Sequence, residues 1–160
     1  INCSFIGRST SPRSEMKEAF QKYGSDLSCD IEFTRGFKQG VDPWDLVVHR
    51  MTLSKIGMNP TGNNPECHRL PELLQSGVVP AMIENDKTRF VDAAFRRLPA
   101  ILGGTWQAVI DQMRRLLDPV NVQELSALQE DAAHFYSELQ ECMKMDLAFI
   151  FSHAFGEAHP

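Results

Sequence analysis

Residues 122–155 have the sequence VQELSALQEDAAHFYSELQECMKMDLAFIFSHAF, which contains the longest regular pattern in the chain. Apolar residues recur every three or four positions from Leu125 to Ala154, with an average spacing of about 3.6 residues, the period of a straight α-helix. A coiled-coil seam repeats about every 3.5 residues, and that register fails because it meets Asp146 and His153. The pattern therefore predicts one long helix in a globular bundle. At about 50 Å the helix is longer than the domain needs, so we expect a kink, a break or a protruding end.

This apolar stripe has nine members. They are Leu125, Leu128, Ala132, Phe135, Leu139, Met143, Leu147, Ile150 and Ala154.

Two further long helices are predicted directly before this one. Residues 80–98 carry a one-sided apolar pattern after a proline, and residues 105–117 begin with Thr105, a residue that can cap a helix. A shorter helix is predicted over Pro71–Ser76. Because the connections between the three long helices are short, we expect the helices to pack as antiparallel neighbours.

The N-terminal part alternates apolar and polar residues over residues 1–5 and again over 27–34, a pattern typical of short strands. Ser11 and the proline after it predict the start of a helix between the two strands. If the strands pair, Cys3 could lie beside Cys29 and form a disulfide. The alternative is that both are small buried side chains, because free cysteine is often buried.

These patterns predict a mainly α fold: a small helical bundle with a minor N-terminal two-strand element and one long C-terminal helix. A second N-terminal helix is predicted over residues 42–57. A single domain, 1–160, is the expectation for a chain of this length. The alternative division is an N-terminal sub-region 1–58 and a helical bundle 71–156, joined by loop 59–70, which is rich in proline, glycine and asparagine.

The charge of the chain is unevenly distributed. From Asp118 to the end there are eight acidic residues, and Lys144 is the only basic one. A surface that follows phosphates needs clustered lysine and arginine, so we do not expect a nucleic-acid partner. The acidic face is either a solvated surface paired within the molecule or a surface for a basic partner. No apolar run reaches the length of a membrane span.

The four cysteines are spread along the chain, at Cys3, Cys29, Cys67 and Cys142. No CxxC pair occurs, so the spacing does not match a zinc ribbon or finger. Two disulfides are compatible with an exported chain. The first residue is Ile1, which is compatible with a processed secreted protein and with an intracellular fragment of a larger chain.

One column of metal-ligand side chains lies on the long helix. Asp131, His134, Glu138 and Cys142 are spaced by three or four residues and share a helix face. A di-iron bundle needs such a motif twice, and it occurs here once, so the alternative is a solvated surface of i,i+4 pairs. No cofactor is predicted.

No catalytic residue is predicted either. Cys67 and His68 are adjacent and precede Arg69, a setting that can lower the pKa of a thiol, but the sequence shows no orienting partner or oxyanion hole. Residues 5–9 place a glycine after a strand, yet they lack the lysine and second glycine of a phosphate-binding loop, so we reject that interpretation.

The leading functional hypothesis is a non-catalytic helical module for protein–protein interaction or oligomerisation. Its candidate partner-binding residues are Phe149, Phe151 and Phe155 at the end of the long helix, with Glu138 and Glu141 on its acidic side. In the alternative interpretation, these aromatic residues are buried in the core. Two alternatives stay open: a secreted, disulfide-stabilised helical effector or ligand, and a helical-bundle metal or redox protein.

Overall fold

The computed structural model describes residues 1–34, 50–60, 69–84 and 98–155, and the side chains of these residues up to 152. It shows a five-stranded, fully parallel sheet with helices on both faces. The prediction of a mainly α bundle with a minor two-strand element is therefore wrong, and the fold is mixed α/β.

The strands and helices alternate along much of the chain. In order they are β1 (Cys3–Arg8), α1 (Ser11–Tyr23), β2 (Cys29–Thr34), β3 (Ile56–Met58), α2 (Arg69–Gln75), β4 (Val79–Ile83), β5 (Ile101–Gly103), α3 (Trp106–Leu117) and, after one 3-10 turn at Pro119–Asn121, α4 (Val122–Phe155). The spatial order of the strands is β2-β1-β3-β4-β5. The strand order therefore reverses between β1 and β3. The next strand in the chain, β2, lies on one side of β1, and β3, β4 and β5 follow in order on its other side.

The sheet separates two apolar layers. Alternate strand residues such as Phe5 and Ile56 pack with Met16 and Phe20 of α1 and with Ile110 of α3. On the opposite face, Met82 packs with Leu70 and Leu74 of α2 and with Ala132 of α4. The inner strands β3 and β4 are covered on both faces and are almost entirely buried. In the edge strand β2, by contrast, every residue is half-buried.

The expected helix over 80–98 is wrong at its start, because Val79–Ile83 form strand β4, which lies between β3 and β5. All but the last of these residues are buried, so the segment lacks the polar alternation that marks a strand with one exposed face. Pro80 lies opposite Gly57 in the sheet. Residues 85–97 lie outside the described residues.

The expected helix over 42–57 does not end at Gly57, because that residue lies within β3. A Cβ atom there would lie 2.1 Å from Cδ2 of Leu73, so the missing side chain lets α2 approach the strand closely. Residues 42–49 of this predicted helix lie outside the described part of the chain.

The other helix predictions hold close to their expected bounds. α1 begins at Ser11 and α3 follows Thr105, whose hydroxyl accepts a hydrogen bond from the amide of Ala108 at 3.2 Å. α4 is a single helix of 34 residues. Its first half packs on the domain, whereas every described side chain from Gln140 to Ser152 is exposed. None of the described helices combines the length and apolarity needed to cross a membrane.

Candidate functional site

The crevice between the carboxyl ends of β1 and β3 is the first candidate site. The helix that follows β1, α1, packs on one face of the sheet, and α2, the first described helix after β3, packs on the other face. In open parallel sheets, ligands bind at such a point of reversed strand order.

The turn from β1 into α1 lies at this edge of the sheet. Thr10 precedes the helix, and its side chain makes no capping hydrogen bond. Amide groups in the first turn of a helix have no partner within the helix, and they point toward its N-terminal end. The hydroxyl oxygens of Ser9 and Ser14 lie 3.3 Å apart beside this turn. The turn thus presents amide and hydroxyl groups at the crevice.

Two guanidinium groups lie over one aromatic ring of β1. The guanidinium carbon of Arg13 lies 5.6 Å from the ring centroid of Phe5, and that of Arg69 lies 5.5 Å from it. Arg13 comes from α1 and Arg69 is the first residue of α2. The two helices on opposite faces of the sheet therefore each contribute a cation to the same edge.

Hydrogen bonds to backbone carbonyl groups hold both arginine side chains in place. Nη1 of Arg13 donates to the carbonyl of Arg8 at 2.8 Å, and Nη2 of Arg69 donates to the carbonyl of Ile6. Gly7 lies between these two acceptors. A Cβ atom on Gly7 would lie 3.2 Å from Nη1 of Arg13, so the glycine leaves room for the guanidinium to lie against the strand.

Among the described residues, three basic side chains and one acidic side chain lie around Phe5 and Phe33. Lys17 adds a third cation, 5.3 Å from the ring of Phe33, which itself packs against Phe5 at 5.4 Å. Glu72 lies 3.8 Å from Nε of Arg69 and offsets part of this charge. Arg13 has no carboxylate partner among the described residues, and its buried Nε has no hydrogen-bond acceptor there. An anion in the crevice would complete this cluster.

Asn59 places a buried polar side chain at the carboxyl end of β3. The backbone N–H of Asn59 donates to the carbonyl of Ala81 at 2.9 Å, and the residue is almost fully buried. It therefore extends the edge of the sheet beyond Met58 on the side of the crevice opposite α1.

A second surface of interest is the distal half of α4, which carries two of the three predicted partner-binding aromatic residues. Phe149 is 62% exposed and Phe151 is 57% exposed. Glu138 forms a pair with His134 at 3.2 Å, and Glu141 with Lys144 at 2.6 Å. The side chain of Phe155 lies outside the described residues.

The predicted metal column lies on the solvent side of α4. His134 and Glu138 contact each other, but both are exposed, as are Asp131 and Cys142. Among the described residues, no group of three or more histidine, cysteine, aspartate or glutamate side chains is arranged to hold a metal ion. The Cys67–His68 pair lies outside the described residues.

Cys3 and Cys29 are partners in the parallel register of β1 and β2 and are joined by a disulfide. Their Cα atoms are 4.5 Å apart. Cys142 is a free, exposed cysteine.

Arg13 and Arg69 are the site residues that the sequence analysis missed. Sequence spacing does not connect them, since they meet through the order of the strands. The usable signal was the strand, glycine and helix start over residues 5–12, which marks a strand-to-helix turn even without the lysine of a phosphate-binding loop.

No family model, no curated protein and no solved structure matches this chain.

Proposed function

We propose that this domain binds a small phosphate-bearing ligand in the crevice between β1 and β3. The observation that carries the proposal is the convergence of Arg13 and Arg69 on Phe5 at the point where strand order reverses. Two cations from different helices meet at the edge where parallel sheets bind their ligands.

Phosphate fits the chemistry of this edge. A guanidinium group offers planar, paired donors that match phosphate oxygens, and a helix N-terminus supplies amide donors with a favourable dipole. Arg13 and the first turn of α1 provide both from one helix, with the hydroxyl of Ser9 beside them. The ring of Phe5 fixes the orientation of the guanidinium groups before the ligand arrives, which lowers the entropic cost of binding.

Calorimetric titration with inorganic pyrophosphate tests this function. We expect saturable binding that weakens as salt is added, because the contacts are between charges. Arg13→Gln should weaken binding by roughly tenfold or more, which corresponds to about 1.4 kcal/mol. The matched control is Arg115→Gln, since Arg115 lies on α3 and pairs with Glu124 at 2.6 Å. Absence of binding by the wild type, or an equal loss in both variants, would contradict the proposal.

The second proposed function is protein–protein interaction or self-association through the distal half of α4. The supporting observation is the exposure of Met143, Leu147, Phe149, Ile150 and Phe151, each at least half accessible. A contiguous exposed apolar surface of this kind marks an interaction site in many proteins. Sedimentation at several protein concentrations tests self-association, and a strict monomer would restrict this surface to other proteins.

A further inference from the structure

The apolar stripe of α4 is covered in its first half and uncovered in its second half. Leu125 is 4% exposed, whereas Leu147, on the same stripe, is 50% exposed. Met143 and Ile150 are uncovered to a similar extent. The apolar face that is buried in the first half of α4 thus continues into the second half, where no described residue covers it.

The uncovered stripe continues from a groove between α2 and α4. This groove has a volume of about 550 Å³, and its walls include Leu70 and Leu74 of α2 and Phe135, Leu139, Met143 and Leu147 of α4. From Phe135 to Ile150 the helix rises by roughly 22 Å, about four turns. The dimensions suit a second helix of similar length lying along α4.

The charge beside the stripe indicates the kind of helix. Asp131, Glu138 and Asp146 each precede a stripe residue by one position, which places all three on the same flank, about 100° from the stripe. Asp131 and Asp146 have no basic partner among the described residues. The partner of Glu138 is His134, which is charged only when protonated. One flank of the apolar face is therefore acidic and largely uncompensated.

We propose that the distal half of α4 binds a basic amphipathic helix of another protein. This proposal rests on the interaction function of α4 given above, and it adds the chemistry of the partner. Apolar residues of the partner helix would cover Met143, Leu147 and Ile150, while its lysine or arginine residues would face Glu138 and Asp146.

A second copy of the chain is a poorer occupant for the same reason. In a two-fold antiparallel helix pair, the same flank of each helix faces the other. The acidic flanks of two copies would then meet, and like charges in contact are destabilising. The chain as a whole carries a formal net charge of −5, which adds to this repulsion.

The direct test uses two synthetic peptides of roughly 18 residues, about five helical turns. One carries leucine at helical spacing with lysine at the other positions, and the second replaces every lysine by glutamate. Fluorescence anisotropy of the labelled peptides should show binding of the lysine peptide, weakened by salt, and at least roughly tenfold weaker binding of the glutamate peptide.

Matched variants of the protein locate the contact. Leu147→Asp should weaken binding of the lysine peptide by roughly tenfold or more. The control is Met145→Asp, because Met145 is 72% exposed but lies off the stripe. Asp146→Asn should reduce both the affinity and its salt dependence, whereas Glu130→Gln, on another face, should not. Far-UV circular dichroism of Leu147→Asp, which alters an exposed side chain, checks that the fold is retained.

The outcomes distinguish the interaction surface on α4 from the basic chemistry of its partner. Equal binding of both peptides with loss in Leu147→Asp would retain the interaction function and overturn the basic partner. A dimer in sedimentation that is lost in Leu147→Asp would identify a second copy as the occupant and also overturn the basic partner. Failure of the lysine peptide to bind, or binding that Leu147→Asp leaves unchanged, would overturn both the partner and this surface.

Discussion

Arg13 of α1 and Arg69 of α2 meet on the ring of Phe5, with guanidinium carbons 5.6 and 5.5 Å from its centroid. The two helices cover opposite faces of the sheet, so the pair can form only at the edge where both faces are accessible. Each guanidinium group lies within the range of a cation–π contact with this ring. The pair is thus the structural basis of the proposed ligand site.

The two halves of α4 should differ in their contribution to stability. Leu125→Ala removes a side chain that is 4% exposed, and we expect the free energy of unfolding to fall by about 2–5 kcal/mol. Leu147→Ala makes the same chemical change at a half-exposed position of the same helix, and we expect a change within about 0.5 kcal/mol. Urea unfolding of both variants is the measurement. Equal losses would show that the distal half is also covered within the domain.

The packing of α2 on β3 should depend on the absence of a side chain at residue 57. Gly57→Ala places a Cβ atom 2.1 Å from Cδ2 of Leu73, so the helix or the leucine must move. Overpacking of this kind lowers the free energy of unfolding by about 1–3 kcal/mol. Gly104→Ala is the control, since a Cβ there has no neighbour within 4 Å. Urea unfolding of both variants is the measurement. If the two variants unfold at the same urea concentration, the close packing of α2 on β3 does not depend on Gly57.

The sequence predicted those elements whose signals are local. Ser11 with its proline marks α1, Thr105 marks α3, and the spacing from Leu125 marks α4. The sheet was missed because its strands pair in parallel and so have no hairpin turns between them, and because Val79–Ile83 are buried on both faces. Strands of three residues such as Ile101–Gly103 are too short to show a period.

The candidate site was missed for a different reason. Arg13 and Arg69 are far apart in sequence and belong to helices on opposite faces, so only the strand order brings them together. Phe149 and Phe151 were proposed from sequence as partner-binding residues, because the apolar pattern at the end of α4 is broader than one buried face requires. Both side chains are exposed, and their role in binding stays a prediction.

The disulfide between Cys3 and Cys29 should stabilise the domain. It closes a loop with a sequence separation of 26 residues. Because a crosslink restricts the unfolded chain, a loop of this length is expected to raise the free energy of unfolding by about 3.5 kcal/mol. Unfolding with and without dithiothreitol measures the effect, and Cys3→Ser should remove it.

Thiol labelling checks the disulfide independently. Without reductant, a maleimide should modify Cys142, which is exposed and free. Labelling of Cys3 in denaturant without reductant would show that the disulfide is absent. An intact disulfide would also support the alternative of an exported protein.

Acid should weaken the contact between α3 and the end of α1. The guanidinium of Arg114 donates to both carboxylate oxygens of Asp26, at 2.8 and 3.0 Å, and this holds the pKa of Asp26 below its usual range. A carboxylate with a lowered folded-state pKa stabilises the fold above its unfolded pKa of about 3.9, and this contribution is lost as the pH falls through the folded-state pKa.

The measurement is a carbon NMR titration of the Asp26 carboxyl group. Arg114→Gln should move its midpoint upward, toward the usual range of an aspartate. In addition, the stability advantage of the wild type over Asp26→Asn should be present near neutral pH and should vanish in acid below the folded-state pKa. An unchanged midpoint in Arg114→Gln would contradict this account of the pair.

Amide chemical shifts during a titration with inorganic pyrophosphate test the claim that an anion binds between β1 and β3. We expect saturable shifts concentrated at Ser9, Ser11 and Asn59, and we expect them to be strongly reduced in Arg13→Gln. Shifts centred instead on Arg114 and Arg115 of α3, or no saturable shifts at all, would contradict the claim.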